Sequence, residues 1–197
     1  MASAEGRETE IKLAMKDAAS ARALLRRAGF RIHRRRVFES NTCFDSPQRT
    51  LRAAGELLRV RKAGRRATLT YKGRPDPDAK HKSREEIEVA LPEAEAISAI
   101  IDRLGFWPIF RYEKYRTEYR QASGEGIATL DETPIGVYVE LEGAPEWIDR
   151  AAAVMGFAEA DYITMSYAGL YVNWSRDRGE TPTNMLFGAG TGGAPRS

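Results

Sequence analysis

The chain has 197 residues, 42% hydrophobic and 30% charged, which is enough apolar material for a packed core and excludes wholesale disorder. Its 31 Lys+Arg against 28 Asp+Glu leave a net charge of +3, too small an excess to mark a nucleic-acid binder. No apolar run approaches ~18 residues, which excludes a membrane-spanning helix, and a single cysteine, Cys43, excludes an internal disulfide and zinc sites of the CxxC type. Met1 to Arg7 carry no apolar h-region, so no signal peptide is expected and a reducing, cytoplasmic setting is.

The elements follow from alternation and punctuation. Glu8–Met15 reads as a strand, followed by a helix over Ala18–Ala28 with Asp17 as N-cap and Gly29 as its stop. Strands come next at Ile32–Phe44, Glu56–Lys62, Ala67–Gly73 and Arg84–Leu91. Ala63-Gly64-Arg65 and the Gly73–Ser83 loop, with its two prolines, supply turns between them. Pro92 opens a second helix, Glu93–Leu104, which Gly105 ends. Strands at Ile109–Gln121, Ile127–Glu132 and Val137–Glu142 are separated by Ser123–Gly126 and Pro134-Ile135-Gly136. A third helix spans roughly Glu146–Met155, and a short helical turn around Ser166–Val172 closes the domain. Eight strands are enough to close a barrel, so an α+β fold is expected: a closed antiparallel eight-stranded barrel with helices packed outside.

From about Ser175 onward Gly, Pro, Ser and Thr dominate and periodicity disappears. The division expected is a domain over 1–174 and a flexible tail over 175–197 that folding does not need. The tail holds a formal GxGxxG match at Gly188, Gly190 and Gly193. The chain stops before a helix could follow it, so no dinucleotide site is read there.

The strand faces carry the chemistry, because side chains two apart share a face. Glu8, Glu10 and Lys12 lie on one face of the first strand and Thr9, Ile11, Leu13 and Met15 on the other. Arg59 and Arg61 alternate with Leu58 and Val60, and Thr70 and Lys72 with Leu69 and Tyr71. Arg84, Glu86 and Glu88 oppose Ile87 and Val89. Lys114, Arg116 and Glu118 oppose Tyr115 and Tyr119. Asp131 opposes Leu130, and Glu140 and Glu142 oppose Val139 and Leu141. On an open sheet these faces would be solvated. In a closed barrel with helices over the apolar side they line a lumen. Unpaired charges buried there would cost several kcal/mol each. A polyanion held by Arg and Lys, with a hard divalent cation on the acids, removes that cost. The natural guest is a triphosphate with its metal.

Glu8-x-Glu10-x-Lys12 opening a strand resembles the ExExK signature of the CYTH, or triphosphate tunnel metalloenzyme, superfamily. The resemblance continues through Asn41-Thr42-Cys43-Phe44-Asp45, Leu58-Arg59-Val60-Arg61, Leu69-Thr70-Tyr71-Lys72-Gly73 and Arg84-Glu85-Glu86-Ile87-Glu88. It extends to Glu113-Lys114-Tyr115-Arg116, Asp131, Val139-Glu140-Leu141-Glu142-Gly143 and Ser166-Tyr167, and so covers about residues 7–172. It implies an eight-stranded tunnel acting on triphosphates with Mg²⁺ or Mn²⁺, as in thiamine triphosphatase, inorganic and RNA triphosphatases and class IV adenylate cyclases. Carried over by position, Glu8, Glu10, Glu140 and Glu142 are the implied metal ligands. Lys12, Arg59, Arg61, Lys72 and Arg116 are the implied phosphate binders, and Lys114 shares their face. Lys12, Glu88 and Asp131 are the catalytic candidates. One departure stands out: family members often carry a lysine just before the Ser-Tyr or in the closing helix, whereas here Met165 precedes Ser166 and Lys114 is the last lysine.

Other features read as ordinary structure. Arg34-Arg35-Arg36 would split across two strand faces at a solvated rim, with Arg34 and Arg36 together. Lys80-His81-Lys82 belongs to an exposed loop or a lid at the tunnel mouth. His33 lacks a partner for catalysis, and Cys43 is a small packing residue. Phe106, Trp107, Phe110 and Tyr112 read as core, and Trp147 and Trp174 as core or edge. No Walker A, HExxH or Ser-His-Asp arrangement is present, which leaves metal-assisted attack by water or a ribose hydroxyl. A triphosphatase is the leading expectation, because no separate adenine-reading feature is evident. The alternatives are a cyclase making cyclic AMP and pyrophosphate from ATP, and a non-catalytic polyphosphate or nucleotide binder. The expected partner is a triphosphate-containing small molecule, with neither membrane nor nucleic acid, on a monomer or homodimer.

Overall fold

Apolar alternation on the strands needs a cover, and the helices supply it from outside one closed sheet. The computed structural model describes residues 6–77 and 80–188. Its strands are β1 (Gly6–Met15), β2 (Arg31–Asp45), β3 (Leu57–Ala63), β4 (Arg66–Lys72), β5 (Lys82–Leu91), β6 (Trp107–Arg120), β7 (Gly126–Thr133) and β8 (Gly136–Gly143). They close into a barrel in the order β1-β5-β4-β3-β2-β6-β7-β8, with every pair antiparallel. The helices are α1 (Ala18–Arg27), α2 (Thr50–Ala54), α3 (Ala94–Arg103), α4 (Pro145–Val154) and α5 (Tyr167–Asp177). The expected α+β barrel is therefore the observed fold.

Ile11 and Leu13 of β1, Leu130 of β7 and Val139 and Leu141 of β8 are fully buried beneath Ala21 and Leu25 of α1 and Trp147 and Ile148 of α4. A second outer cluster joins Phe44, Val60 and Ala67 to Ala94 and Ile101 of α3. A third cluster, on the lumen side, packs Tyr167 and Tyr171 of α5 against Cys43 and Tyr112. Burial of these apolar side chains, each typically ~1.5–3 kcal/mol, drives the charged faces inward by the period-2 geometry of the strands.

The helix signals behave as their chemistry demands. Asp17 caps α1, its Oδ1 accepting from the Ser20 N–H at 2.7 Å. Gly29 and Gly105 end α1 and α3 with φ of +85°, a conformation that suits glycine. The short α2 was not expected. It forms because the buried Asp45 carboxylate accepts from the N–H groups of Leu51 and Arg52, both at 3.0 Å, and five residues are too few to show a helical period.

Three expectations are corrected. Register shifts between Ile32 and Arg34, and again before Val37, break the alternation of β2, so Arg34 and Arg36 do not share a face. Arg34 reaches Glu118, while Arg36 lies 3.4 Å from the Tyr115 ring centroid and bonds Glu132 at 2.9 Å. Lys82 is neither loop nor lid, because β5 begins there and carries it into the lumen. Past Ser175 the chain does not lose structure at once: α5 runs to Asp177 and Met185 is buried against Tyr112. A lone buried methionine in a polar segment leaves no periodic signal. Gly190 and Gly193 of the GxGxxG match, with the rest of the tail from residue 189, lie outside the described residues.

Candidate active site

The inward faces enclose a cavity of about 140 Å³, lined by Glu8, Glu10, Lys12, Leu57, Arg59, Arg61, Lys72, Lys82, Arg84, Glu86, Glu88, Tyr112, Lys114, Arg116, Glu140, Glu142 and Tyr167. The structure thus brings together every site residue expected from alternation and resemblance except Asp131. That side chain shares the lumen face with Arg116 but is fully buried beneath the lining, where its carboxylate accepts from Lys114, Arg116 and Tyr167.

On the wall formed by β8, β1 and β5, Lys12 Nζ lies 3.0 Å from Glu10 and 3.3 Å from Glu140. Lys82 Nζ donates to Glu10 at 2.7 Å. Lys72 bonds Glu8 and lies 3.0 Å from Glu86, and Arg84 reaches Glu8 at 3.4 Å. Burial alone would raise the Glu10 carboxyl, but Lys12, Lys82 and Lys72 hold it well below the usual carboxylate range. Burial pulls Lys82 down to about 8, and Lys12 and Arg84 beside it add to the effect against Glu10. Glu142 stands directly across from Glu10 in the β1–β8 register and has no ion-pair partner within 4.0 Å among the described residues. Burial, then repulsion from Glu8, pushes its carboxyl up to about 7.

The adjoining wall, from β2, β6 and β7, is differently organised. Asp131 accepts from Lys114 Nζ at 2.8 Å, from Arg116 Nε and Nη2 at 2.7 and 2.6 Å, and from the Tyr167 hydroxyl at 2.7 Å. Arg116 also bonds Glu140. Burial would lower the Arg116 guanidinium, but Asp131 and Glu140 hold it well above the ordinary value. Glu39, buried behind this wall, lies 3.8 Å from Lys114 and 3.7 Å from Arg61, whose attraction overcomes burial and holds it down to about 2. Between the walls, Arg59 donates to the Tyr112 hydroxyl at 3.2 Å, to Thr70 at 3.1 Å and to Glu88 at 3.4 Å.

The donor set suits a hard divalent cation. Glu10 and Glu142 are two acids side by side of which only Glu10 is ion-paired, and burial first, then Glu8, raises the Glu142 carboxyl. Glu8, Glu10 and Glu140 are turned onto Lys12, Lys72 and Arg116, and no three such ligands converge on one point among the described residues.

A CYTH domain profile matches residues 6–160. The chain belongs to the CYTH family. A Methanocaldococcus jannaschii protein, named provisionally as an adenylate cyclase, is 32% identical over 136 residues, which are 68% of this chain and 75% of its own length. A solved Pyrococcus horikoshii structure superposes with a TM-score of 0.70 at 25% identity, covering 84% of this chain and 98% of that one. A Hippeastrum structure, described as a provisional adenylyl cyclase with a dominant triphosphatase activity, gives a TM-score of 0.62 at 20% identity. It covers 92% of this chain and 98% of its own.

Within this CYTH tunnel, sequence reasoning missed Lys82, Glu39 and the two tyrosines. Lys82 shares the i, i+2 face of Arg84, so extending β5 by one step would have found it. Glu39 shares a face with Asn41 and Cys43 in β2, and Arg61 bonds Asn41 at 3.3 Å. Tyr112 is a core residue, as expected, and Tyr167 joins it, both also forming cavity wall, whereas Trp107, expected in the core, is exposed. The Tyr167 ring lies beside two of the tunnel cations, with Lys12 and Lys114 Nζ at 5.3 and 5.0 Å from its centroid. Cys43 is the packing residue anticipated, buried and with its thiol pushed up to about 11 by burial. No helix among the described residues is long and apolar enough to cross a membrane.

Proposed function

We propose that the protein hydrolyses a triphosphate, inorganic or carried on a small organic group, with the help of Mg²⁺ or Mn²⁺. The observation that supports this most is the set of buried cations lining one cavity with Glu8, Glu10, Glu140 and Glu142, of which Glu142 has no ion-pair partner among the described residues. Arg59, Arg61, Lys72, Lys82, Lys114 and Arg116 are the phosphate-binding groups, and each can exchange a tunnel carboxylate for a phosphate oxygen at little desolvation cost. Glu8, Glu10, Glu140 and Glu142 are the residues that would hold the cation. Such an ion, when bound, neutralises phosphate charge and polarises a water molecule.

The rest is done by the chain's own groups. Lys12, fixed between Glu10 and Glu140, is placed to stabilise charge developing on the phosphate nearest the acids. Glu88 is held ionised despite burial by the Thr70 hydroxyl, Arg61 and Arg59, so it can accept a proton from attacking water. Asp131 orients Lys114 and Arg116. The single buried thiol of Cys43 suits a reducing, cytoplasmic setting.

A second reading is cyclase chemistry, favoured by the provisional name of the M. jannaschii relative. One panel separates them: tripolyphosphate, ATP and thiamine triphosphate with Mg²⁺ or Mn²⁺, products identified, and each run repeated in excess EDTA. Orthophosphate released only in the presence of metal is the expected result. Pyrophosphate with cyclic AMP would replace this reading by the second. Tight binding without turnover would leave a polyphosphate or nucleotide binder.

A further inference from the structure

We propose that the segment Asn184–Phe187 is a strap that positions Tyr112 and, through the Tyr112 hydroxyl, the Arg59 guanidinium for phosphate binding. The inference rests on the triphosphate reading above. β7 pairs with β6 only from Tyr115 to Tyr119, so the preceding stretch of β6 needs another cover on that side. The strap provides it. Met185 N–H donates to the Arg111 carbonyl at 3.0 Å, and the Glu113 N–H donates to the Met185 carbonyl at 2.9 Å, a parallel bridge centred on Tyr112. Asn184 Oδ1 accepts from the Arg111 N–H at 2.8 Å, and the Phe187 N–H donates to Glu113 Oε2 at 3.0 Å. Phe187 also packs on Tyr115, with ring centroids 5.3 Å apart.

Residues directly opposed in a ladder present their side chains to the same face. Met185, 1% exposed, therefore lies beside Tyr112 in the aromatic cluster that ends the cavity wall. Tyr112 lines the cavity and receives Arg59 Nη1 at 3.2 Å, while Arg59 Nη2 turns to Thr70 and Glu88. Without Met185 the Tyr112 ring has space to rotate, and Nη1 loses the contact that fixes the plane of the guanidinium. A plain hydrophobic anchor would affect stability alone. A positioning residue changes anion affinity through one identifiable partner.

The test measures metal-free tripolyphosphate affinity of the full chain by calorimetry. Met185→Ala should weaken binding about 3- to 10-fold, because the guanidinium is loosened and not removed, and Met185→Leu should stay within about 2-fold of wild type. Tyr112→Phe should reproduce the loss, and Met185→Ala should add nothing in the Tyr112→Phe background, as residues acting through one contact require. Should Met185→Ala not fold by circular dichroism, Asn184→Ala loosens the strap without opening the core. It should then show a smaller loss that is likewise silent in Tyr112→Phe. Unchanged affinity in the folded strap variants, or losses that add to that of Tyr112→Phe, would overturn the strap while leaving the triphosphate reading intact. No binding by the wild-type chain would overturn both.

Discussion

The two walls of the tunnel hold acids for different purposes. Around Asp131 the carboxylate accepts four hydrogen bonds from Lys114, Arg116 and Tyr167 and has no exposure at all. Around Glu142, on the neighbouring strand β8, acid faces acid, and a carboxyl stands without an ion-pair partner among the described residues. A saturated network of that kind rigidifies what it touches, whereas an unsaturated one is ready to accept a ligand. The comparison divides the tunnel into a scaffold side, which aims cations, and an exchange side, where incoming charge is welcome.

The same chemical change on both walls, carboxylate to amide, should act with opposite signs. Asp131→Asn keeps the shape but turns an amide N–H toward three donors. Breaking a buried, fully engaged pair typically costs about 3–5 kcal/mol, so the variant should unfold at markedly lower urea concentration. A midpoint equal to that of the wild type would show that Asp131 does not organise the scaffold side.

Next in size is Glu10→Gln. It removes a negative charge from the exchange side, where Lys12 and Lys82 both contact it. Turnover with metal should fall roughly 10²- to 10³-fold, as when one preorganised electrostatic group is lost. Metal-free triphosphate binding should hold or tighten, because a repulsive charge is gone. Unchanged turnover would mean that this face does not serve the chemistry. Arg59→Ala, between the walls, should instead weaken triphosphate binding with and without metal. The loss of a charge-assisted contact is about 1.5–3 kcal/mol, or about 10- to 150-fold. Isothermal titration in both conditions checks it, and an effect confined to the metal-loaded state would contradict direct phosphate contact.

Much of this arrangement was legible before any coordinates. Period-2 alternation assigned Glu8, Glu10 and Lys12 to one face and Ile11 and Leu13 to the other, and the folded chain keeps that parity. Alternation alone does not distinguish a lumen from a solvated face, because closure is a property of eight strands together. The ordered set of motifs made that choice. Local irregularity hid the rest: bulges in β2 scrambled the parity of Arg34 and Arg36, and a misjudged loop boundary concealed Lys82. Met185 was invisible for a third reason. Its burial depends on an uncovered stretch of β6 edge, a feature no window of neighbouring residues contains.

The smallest effect sits at Glu142, and its sign follows from linkage. Its carboxyl is raised from 4.5 in the unfolded chain to about 7 in the fold, first by burial and then by Glu8. The folded state therefore binds the proton more tightly than the unfolded state does. The resulting stability is fully present below about pH 4.5 and is lost as pH rises through about 7. Glu142→Gln mimics the protonated form at every pH. In EDTA at pH 8 it should raise stability by about 1–2 kcal/mol, discounted from 1.36 kcal/mol per pKa unit because the group is partly exposed. At pH 5 the gain should be several-fold smaller, since the carboxyl is then protonated in the fold and ionised mainly in the unfolded chain. Thermal unfolding at the two pH values reads both arms. A gain of equal size at pH 5 and pH 8 would show that charge at Glu142 is compensated, and the exchange side would then be as saturated as the wall around Asp131.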